Sequence, residues 1–263
     1  MLENPRVFLI VPVFNEAANM ERLFKGCSEI QRELGTRYDV RFILVDDGST
    51  DGTADEARRV ANGVSLDVLR LDANAGPGRA FSTAFSHLAP LIQPTDWVVT
   101  IEGDNTSRLE LLEQMLTRAA EGFDVVLASP YLYGGGISNT TLYRVVLSAI
   151  ANLVVKESLG LHGIVTMSSF FRLYRGSSFL RLQQTFGPGV IERAGFESMI
   201  ELLLKITYLQ MTVSEVAMKL DTSRRAGTSK MKIARTAMGY MTLWWEKDRW
   251  RDAAAAPVGT DPS

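Results

Sequence analysis

The stretch Arg41-Phe42-Ile43-Leu44-Val45-Asp46-Asp47-Gly48-Ser49-Thr50-Asp51-Gly52-Thr53 reads as a buried strand that stops in a turn and launches a helix. Its apolar, β-branched half suits a strand covered on both faces, as strands of parallel sheets are. Its polar half supplies the glycines and capping side chains that end a strand and start a helix at Ala54. Working outward, Val7-Phe8-Leu9-Ile10-Val11-Pro12-Val13 is a second run of the same kind, and Asn15 to Ser28 reads as the helix after it. Downstream, Leu66 to Leu71 is read as a strand and Arg79 to His87 as a helix. Strand Trp97 to Ile101, helix Leu109 to Ala120 and strand Val125 to Ala128 continue the pattern. Strand and helix alternating at this spacing predict an α/β fold with a mostly parallel central sheet flanked by helices. Ligands of such sheets bind at the carboxyl ends of the strands.

The second half has a different texture, with helices expected over 142–159 and 197–206 and a flexible seam at Gly134-Gly135-Gly136. The expected organisation is one catalytic domain over 1–240, a C-terminal helix over 241–252 and a disordered tail over 253–263.

The chain has 263 residues, enough for one large domain that buries roughly 70 to 75% of its unfolded surface. With 46% hydrophobic and 22% charged residues it is an ordinary globular composition, which excludes wholesale disorder. A formal net charge of −2 gives no global field for a nucleic-acid binder, so no nucleic-acid partner is expected. The single cysteine, Cys27, excludes an intrachain disulfide and a multi-cysteine zinc site and suits a reducing compartment. The N-terminus carries no pattern of a secretory leader. The longest apolar stretch, Val145 to Val155, is interrupted by Ser148 and Asn152 and falls short of the roughly 18 residues of a spanning helix.

Acidic residues follow three of the expected strands: Glu16 after the first, Asp46 and Asp47 after the second, Glu102 and Asp104 after the fourth. In a parallel sheet these ends share one rim and make a carboxylate-lined pocket. Two carboxylates one residue apart, in Glu102-Gly103-Asp104, can hold a hard divalent cation such as Mg²⁺ or Mn²⁺, although the same triplet also occurs as a plain turn. Such an ion would neutralise charge on a departing nucleotide. Asn74-Ala75-Gly76-Pro77-Gly78, before a helix, is a possible phosphate cradle of free backbone N–H groups. It lacks the Gly-Lys-Ser or Gly-Lys-Thr ending of a P-loop, and no Gly-x-Gly-x-x-Gly follows the first strand, so nucleoside triphosphatase and NAD-binding classes recede.

Between Lys219 and Arg235 six basic residues face one acid, Asp221. Arg224-Arg225-Ala226-Gly227-Thr228-Ser229-Lys230 sets guanidinium, ammonium and hydroxyl groups around a glycine, a composition suited to phosphate oxygens and equally to a solvated basic loop. Tyr240, Trp244, Trp245 and Trp250, interleaved with Lys247, Arg249 and Arg251, either rest at a membrane surface or dock the last helix onto the core.

Taken together, Val11-Pro12-Val13-Phe14-Asn15-Glu16, Val45 to Thr53, Asn74 to Gly78 and Glu102-Gly103-Asp104 resemble the family 2 glycosyltransferases of GT-A fold. Tyr143-Arg144, Ser169 to Arg175, Gly195-Phe196-Glu197 and Arg225 to Lys230 resemble the dolichol- or polyprenol-phosphate mannose synthase branch, so the resemblance spans about residues 7 to 235. It implies that Pro12, Asn15, Glu16, Asp46, Asp47, Gly76 and Gly103 line the nucleotide-sugar site. Glu102 and Asp104 stand at that branch's metal motif, and Asp104, Arg225 and Lys230 are the implied catalytic set. Ser229, Arg144 and Arg172 match residues on the side of the acceptor phosphate. The implied partners are a nucleoside diphosphate sugar, a polyprenyl phosphate, and the membrane surface or a membrane protein. The implied location is cytoplasmic, peripheral at the inner face of the cell membrane.

Glu102 replaces the usual first aspartate of that motif, Pro130 a common arginine, Val165 a common aspartate and Phe170 a glycine. The last three bear on the donor sugar and acceptor rather than on the nucleotide motifs. A phosphate monoester carries about −1.5 to −2 charge at pH 7 and is already a nucleophile, which fits a chain without a catalytic histidine pattern. The resulting expectation is an inverting transferase acting on polyprenyl phosphate. The alternatives are a transferase to a soluble or glycan hydroxyl, with Asp104, Glu192 or Glu197 as base, and a non-catalytic nucleotide-sugar-binding module.

Overall fold

Strand β1 (Arg6–Val13) pairs in parallel with β2 (Asp39–Asp46) on one side and β4 (Trp97–Thr100) on the other. Strand β3 (Leu66–Arg70) extends the sheet beyond β2, also in parallel. The computed structural model describes residues 4–104, 108–139, 156–157, 159–167, 169–221 and 233–256. On the far side of β4 lies β7 (Arg172–Arg175), antiparallel to both β4 and β5 (Val125–Ser129), and β8 (Val213–Ala217) closes the sheet in parallel with β5. The order is β3-β2-β1-β4-β7-β5-β8, with a separate two-stranded sheet of β6 (Gly136–Ser138) and β9 (Lys219–Asp221).

The alternation of β1 shows why the sheet is covered on both faces. Val7, Leu9, Val11 and Val13 enter one core with α1 (Ala17–Leu34) and α4 (Leu111–Ala120). Phe8 and Ile10 enter the other with α3 (Pro77–Leu88), α5 (Gly176–Phe186) and α6 (Ser198–Tyr208). Each such side chain, fully buried, contributes about 1.5 to 3 kcal/mol, so a strand apolar on alternate and intervening positions is anchored twice. Helix α2 (Thr53–Val60) begins where the first quoted stretch ends, with Asp55 and Glu56 in its first turn and Arg58 and Arg59 in its last, which complements the helix dipole.

Three elements differ from expectation. The seam at Gly134 to Gly136 leads directly into β6, whose Gly136 to Ser138 pair with Lys219 to Asp221. The run Ser169 to Arg175 contains the antiparallel strand β7, inserted between parallel neighbours. Its position is fixed by the Thr100 hydroxyl donating to the Phe170 carbonyl at 2.6 Å and the Gly176 N–H donating to the Asp96 carbonyl at 2.7 Å. The C-terminal helix α7 runs over Ile233–Ala255, longer at both ends than 241–252. Ala253 to Ala255 extend it because alanine is the strongest helix former. Its Leu243 and Trp250 belong to the same core as α3, α5 and α6, so α7 is an integral layer of the domain.

Candidate active site

The rim formed by the carboxyl ends of β1, β2 and β4 is knitted by short-range bonds. After β1 the chain turns at Asn15, whose φ of 51° is one that asparagine tolerates better than most side chains. Asn15 accepts the Thr50 N–H on its side-chain oxygen at 2.9 Å and donates its own N–H to the Ser49 hydroxyl at 2.9 Å. The Glu16 N–H donates to the Thr53 hydroxyl at 2.9 Å, and the Glu16 carboxylate accepts from the Asn19 amide. Thus Asn15 and Glu16 tie the end of β1 to the turn after β2.

Asp46 and Asp47 are both buried. Asp46 accepts the Ser49 N–H at 2.9 Å, and its other oxygen lies 3.6 Å from the Arg70 guanidinium. Asp47 accepts the Ala75 N–H at 2.8 Å and the Gly76 N–H at 2.9 Å, while its own N–H donates to the Val13 carbonyl at 2.9 Å. Burial, with a smaller push from the Asp46 charge, holds the Asp47 carboxyl above its ordinary value even though both N–H bonds favour the carboxylate. The Asp51 carboxyl is shifted the other way: burial raises it, but the Thr53 hydroxyl and the Ala17 and Thr53 N–H groups outweigh that and lower it.

The glycine-rich turn before α3 is therefore built differently from a phosphate cradle. The Ala75 and Gly76 N–H groups belong to Asp47, and the Gly78 N–H donates to the Ala194 carbonyl at 2.8 Å. Gly76 is needed because its φ is 95° and a Cβ there would stand 2.5 Å from the Ala194 oxygen. Its part in a nucleotide site would be to shape the wall, since its N–H is engaged within the chain.

Glu102, half-buried, and Asp104, 7% exposed, flank Gly103 just past β4. A Cβ on Gly103 would lie 2.5 Å from Val13 Cγ1 and 3.0 Å from the Pro12 carbonyl oxygen, so the acidic pair can sit against the end of β1 only with glycine between its members. This places Pro12, Gly103, Glu102 and Asp104 on one side of the rim and Asp46, Asp47, Asn15 and Glu16 on the adjoining side. The donor set is hard oxygen only, which suits Mg²⁺ or Mn²⁺. Among the described residues no three His, Cys, Asp or Glu side chains gather as a complete ion-binding group. The two carboxylates would be the protein's oxygen ligands to such an ion.

Arg172 corrects an expectation. It is 0% exposed, and its guanidinium donates to the carbonyls of Ser169 at 2.7 Å, Met199 at 2.8 Å and Met167 at 2.6 Å. Sitting at the start of β7 inside the core, it braces three segments and does not face an acceptor phosphate. Glu192 likewise is engaged with Arg249, Lys205 and the Trp250 indole, while Glu197 accepts the Gly195 N–H at 3.3 Å. Phe170, where the resembling branch has glycine, stacks on Phe81 with centroids 5.7 Å apart and meets Phe196 edge-on at 5.6 Å. Arg144, Arg225, Ser229 and Lys230, with the apolar stretch 145–155, lie outside the described residues.

The packing of residues 191–194 against the turn before α3 is not legible in the sequence. Nothing in Ile191-Glu192-Arg193-Ala194 marks it as the partner of the turn at Gly76 to Gly78, because that pairing joins segments far apart in the chain.

The profile of Glycosyl transferase family 2 matches residues 8–182, the span that carries the whole rim. The chain belongs to this family. Among its relatives, the polyprenol monophosphomannose synthase of Mycolicibacterium smegmatis is 28% identical over 253 residues, covering 93% of this chain and 88% of that one. The dolichol-phosphate mannosyltransferase of Pyrococcus furiosus is 27% identical over 247 residues, and the match spans 93% of this chain but 64% of that protein. Among solved structures, glucosyl-3-phosphoglycerate synthase from Mycobacterium tuberculosis in complex with Mn²⁺, uridine diphosphate and phosphoglyceric acid superposes with a TM-score of 0.64. At 17% identity over 96% of this chain and 80% of that one, it shares the GT-A fold. The family 2 protein described here is a glycosyltransferase.

Proposed function

We propose that this glycosyltransferase moves one sugar from a nucleoside diphosphate sugar to a polyprenyl phosphate, with inversion at the anomeric carbon. The observation that carries the reading is the near full-length match to a polyprenol monophosphomannose synthase, joined to a rim on which Asp46-Asp47 and Glu102-x-Asp104 lie just past the carboxyl ends of β2 and β4.

In this reading Pro12, Asn15, Glu16, Asp46, Asp47, Gly76 and Gly103 shape the nucleotide site, with Asp46 and Asp47 acting mainly by fixing the turns around it. Glu102 and Asp104 would hold Mg²⁺ or Mn²⁺, which would supply positive charge toward the diphosphate leaving group. Arg225, Lys230 and Ser229, with Arg144, hold the acceptor phosphate so that one of its oxygens faces the anomeric carbon opposite the departing diphosphate. The C1–O bond to the donor breaks as the new C1–O bond to the acceptor phosphate forms. No proton need be removed from a phosphate already ionised at pH 7, so the chemistry asks for orientation and charge rather than a strong base.

Among the described residues no helix is long and apolar enough to cross a membrane. We assign access to a lipid acceptor to peripheral contact at the inner face of the cell membrane, or to a membrane-protein partner. The exposed Trp244 and Trp245 and the basic run Lys219 to Arg235 are the groups suited to such contact.

The test incubates purified protein with bacterial membranes, Mn²⁺ and radiolabelled GDP- and UDP-sugars, then counts label in the organic phase. Label there from one donor supports lipid-linked transfer and identifies the sugar. Donor consumed with label only in water replaces the lipid acceptor by a soluble or glycan hydroxyl, and donor bound but never consumed replaces the enzyme reading by a binding module.

A further inference from the structure

The most thoroughly buried ion pair among the described residues lies outside the acidic rim. Glu201 and Lys205, both 0% exposed, face each other one turn apart on α6 at 2.5 Å. An isolated pair of this kind contributes little net stability, because desolvating two charges offsets their attraction. What distinguishes this pair is what else it binds. The Glu201 carboxylate accepts the Glu192 N–H at 2.9 Å and the Arg193 N–H at 2.8 Å, and Lys205 donates to the Gly189 carbonyl at 2.5 Å and the Val190 carbonyl at 3.3 Å. Both charges are thus spent on the backbone of residues 189–193.

That backbone continues straight into the donor-side turn. The Ala194 carbonyl accepts the Gly78 N–H at 2.8 Å and abuts Gly76, and Gly78 is packed so closely on the Arg193 carbonyl that a Cβ would overlap it. Gly76 and Ala75 in turn hold Asp47. From the outer side, α7 clamps the same segment: Arg249 pairs with Glu192, Arg193 pairs with Glu246, and the Trp250 indole donates to Glu192 at 3.3 Å. The Lys205 ammonium lies 4.6 Å from the Trp250 ring centroid, so the helix and the buried pair meet directly.

We infer that the Glu201–Lys205 pair is a positioning device for nucleotide binding: it sets residues 189–194 as the rigid wall against which Gly76 to Gly78 and Asp47 are held, with α7 as the outer brace. The inference rests on the reading of the Asp47 side as the donor site. Neither charge touches the donor, and each acts through the turn it fixes. Changes along such a chain of contacts shift binding by modest factors without contacting ligand.

Calorimetric titration with GDP and with UDP, in the presence of Mn²⁺, tests this on the full chain. Because removing one partner leaves an unpaired buried charge that threatens folding, the informative variant is E201M/K205M, which removes both charges at similar volume while releasing the backbone groups of residues 189–193 that they hold. The expected result is a cooperative melt at a lowered temperature and, measured well below that melt, affinity for the preferred nucleotide weakened about tenfold. G78A, which forces the same contact apart from the donor side, is expected to weaken affinity similarly. D47N serves as the reference for loss of the donor site itself. If D47N loses binding while E201M/K205M and G78A both bind as the wild type does, the pair is a stability element and the inference is wrong. If the wild type binds neither nucleotide, the donor-site reading fails and the positioning role falls with it.

Discussion

The carboxylate of Asp47 accepts the N–H of Gly76 at 2.9 Å, joining the end of β2 to the start of α3 across the acidic rim. Its second oxygen takes the Ala75 N–H at 2.8 Å, so one side chain terminates two backbone donors that would otherwise point into the cleft. Bonds from N–H groups to a charged acceptor are worth about 1.5 to 3 kcal/mol each, which makes this carboxylate an organiser of the turn.

Asp47→Asn tests that statement. The amide keeps one acceptor and turns the other into a donor facing a donor. The expected outcome is a loss of roughly 1 to 3 kcal/mol in stability and a fall in transferase rate of at least about tenfold, read by thermal melts and initial rates. Full activity with unchanged melting would show that the 75–76 turn holds itself.

Asp104→Asn addresses the pair of carboxylates past β4. Replacing one hard anionic oxygen by an amide weakens a two-carboxylate site severely, so Mn²⁺-dependent turnover should fall by orders of magnitude while the melting temperature stays nearly constant. Titrating Mn²⁺ against rate separates the cases: a variant rescued at high Mn²⁺ has lost affinity, and one that melts early has lost a turn.

Arg225→Ala examines the basic segment by kinetics. If the guanidinium grips acceptor phosphate, the rate drops by about a hundredfold or more, whereas Arg225→Lys recovers part of it because charge is kept and the bidentate fork is lost. A wild-type rate in Arg225→Ala would return the segment to a solvated surface.

The parallel half of the sheet was legible because its signal is local. Val7 to Val13 and Arg41 to Val45 carry continuous apolar runs, and each is followed by its own turn and helix. The acids after β1, β2 and β4 could be placed on one rim for the same reason, since parallel strands share their carboxyl ends. What stayed hidden depends on distant partners. β7 is a four-residue strand whose antiparallel setting is decided by β4 and β5. Arg172 looks like any candidate phosphate ligand until three carbonyls are seen to enclose its guanidinium. The Asp46-Asp47 motif likewise suggests ligand contact, while much of its bonding capacity goes to Ser49, Ala75 and Gly76.

Helix α7 resolves the question posed by its tryptophans by dividing them. Trp250 is 1% exposed and packs inward, whereas Trp244 and Trp245 are 49% and 76% exposed and meet edge-on at 5.3 Å, with Met241 beside them at 66%. Lys247 lies 5.3 Å over the Trp244 ring. Aromatic rings next to an ammonium suit a bilayer interface with anionic headgroups. W244A/W245A is therefore expected to reduce co-sedimentation with vesicles containing anionic lipid by about tenfold while leaving hydrolysis or transfer with a water-soluble acceptor analogue unchanged. Equal sedimentation of variant and wild type would leave these rings without a role in membrane contact.

Asp124 makes the pH dependence of stability predictable in sign. It opens the way into β5, accepts the Ser178 hydroxyl at 2.7 Å, and takes both the N–H and the hydroxyl of Thr212 at 2.8 and 2.9 Å. Burial raises its carboxyl, but those bonds, with help from Arg175, outweigh burial and leave it below the ordinary value of 3.8. A carboxyl depressed in the folded state contributes stability that is fully present above the unfolded value and is lost as pH falls through the folded value. Asp124→Asn removes the titration and one acceptor together. At pH 7 the variant should be about 1 to 3 kcal/mol less stable than the wild type, and the gap should close as pH falls below about 4. Denaturant unfolding from pH 7 to pH 2.5 reads both curves. Curves that stay parallel across the acid limb would place the wild type's acid sensitivity elsewhere, with Asp51, another depressed carboxyl, as the next group to replace.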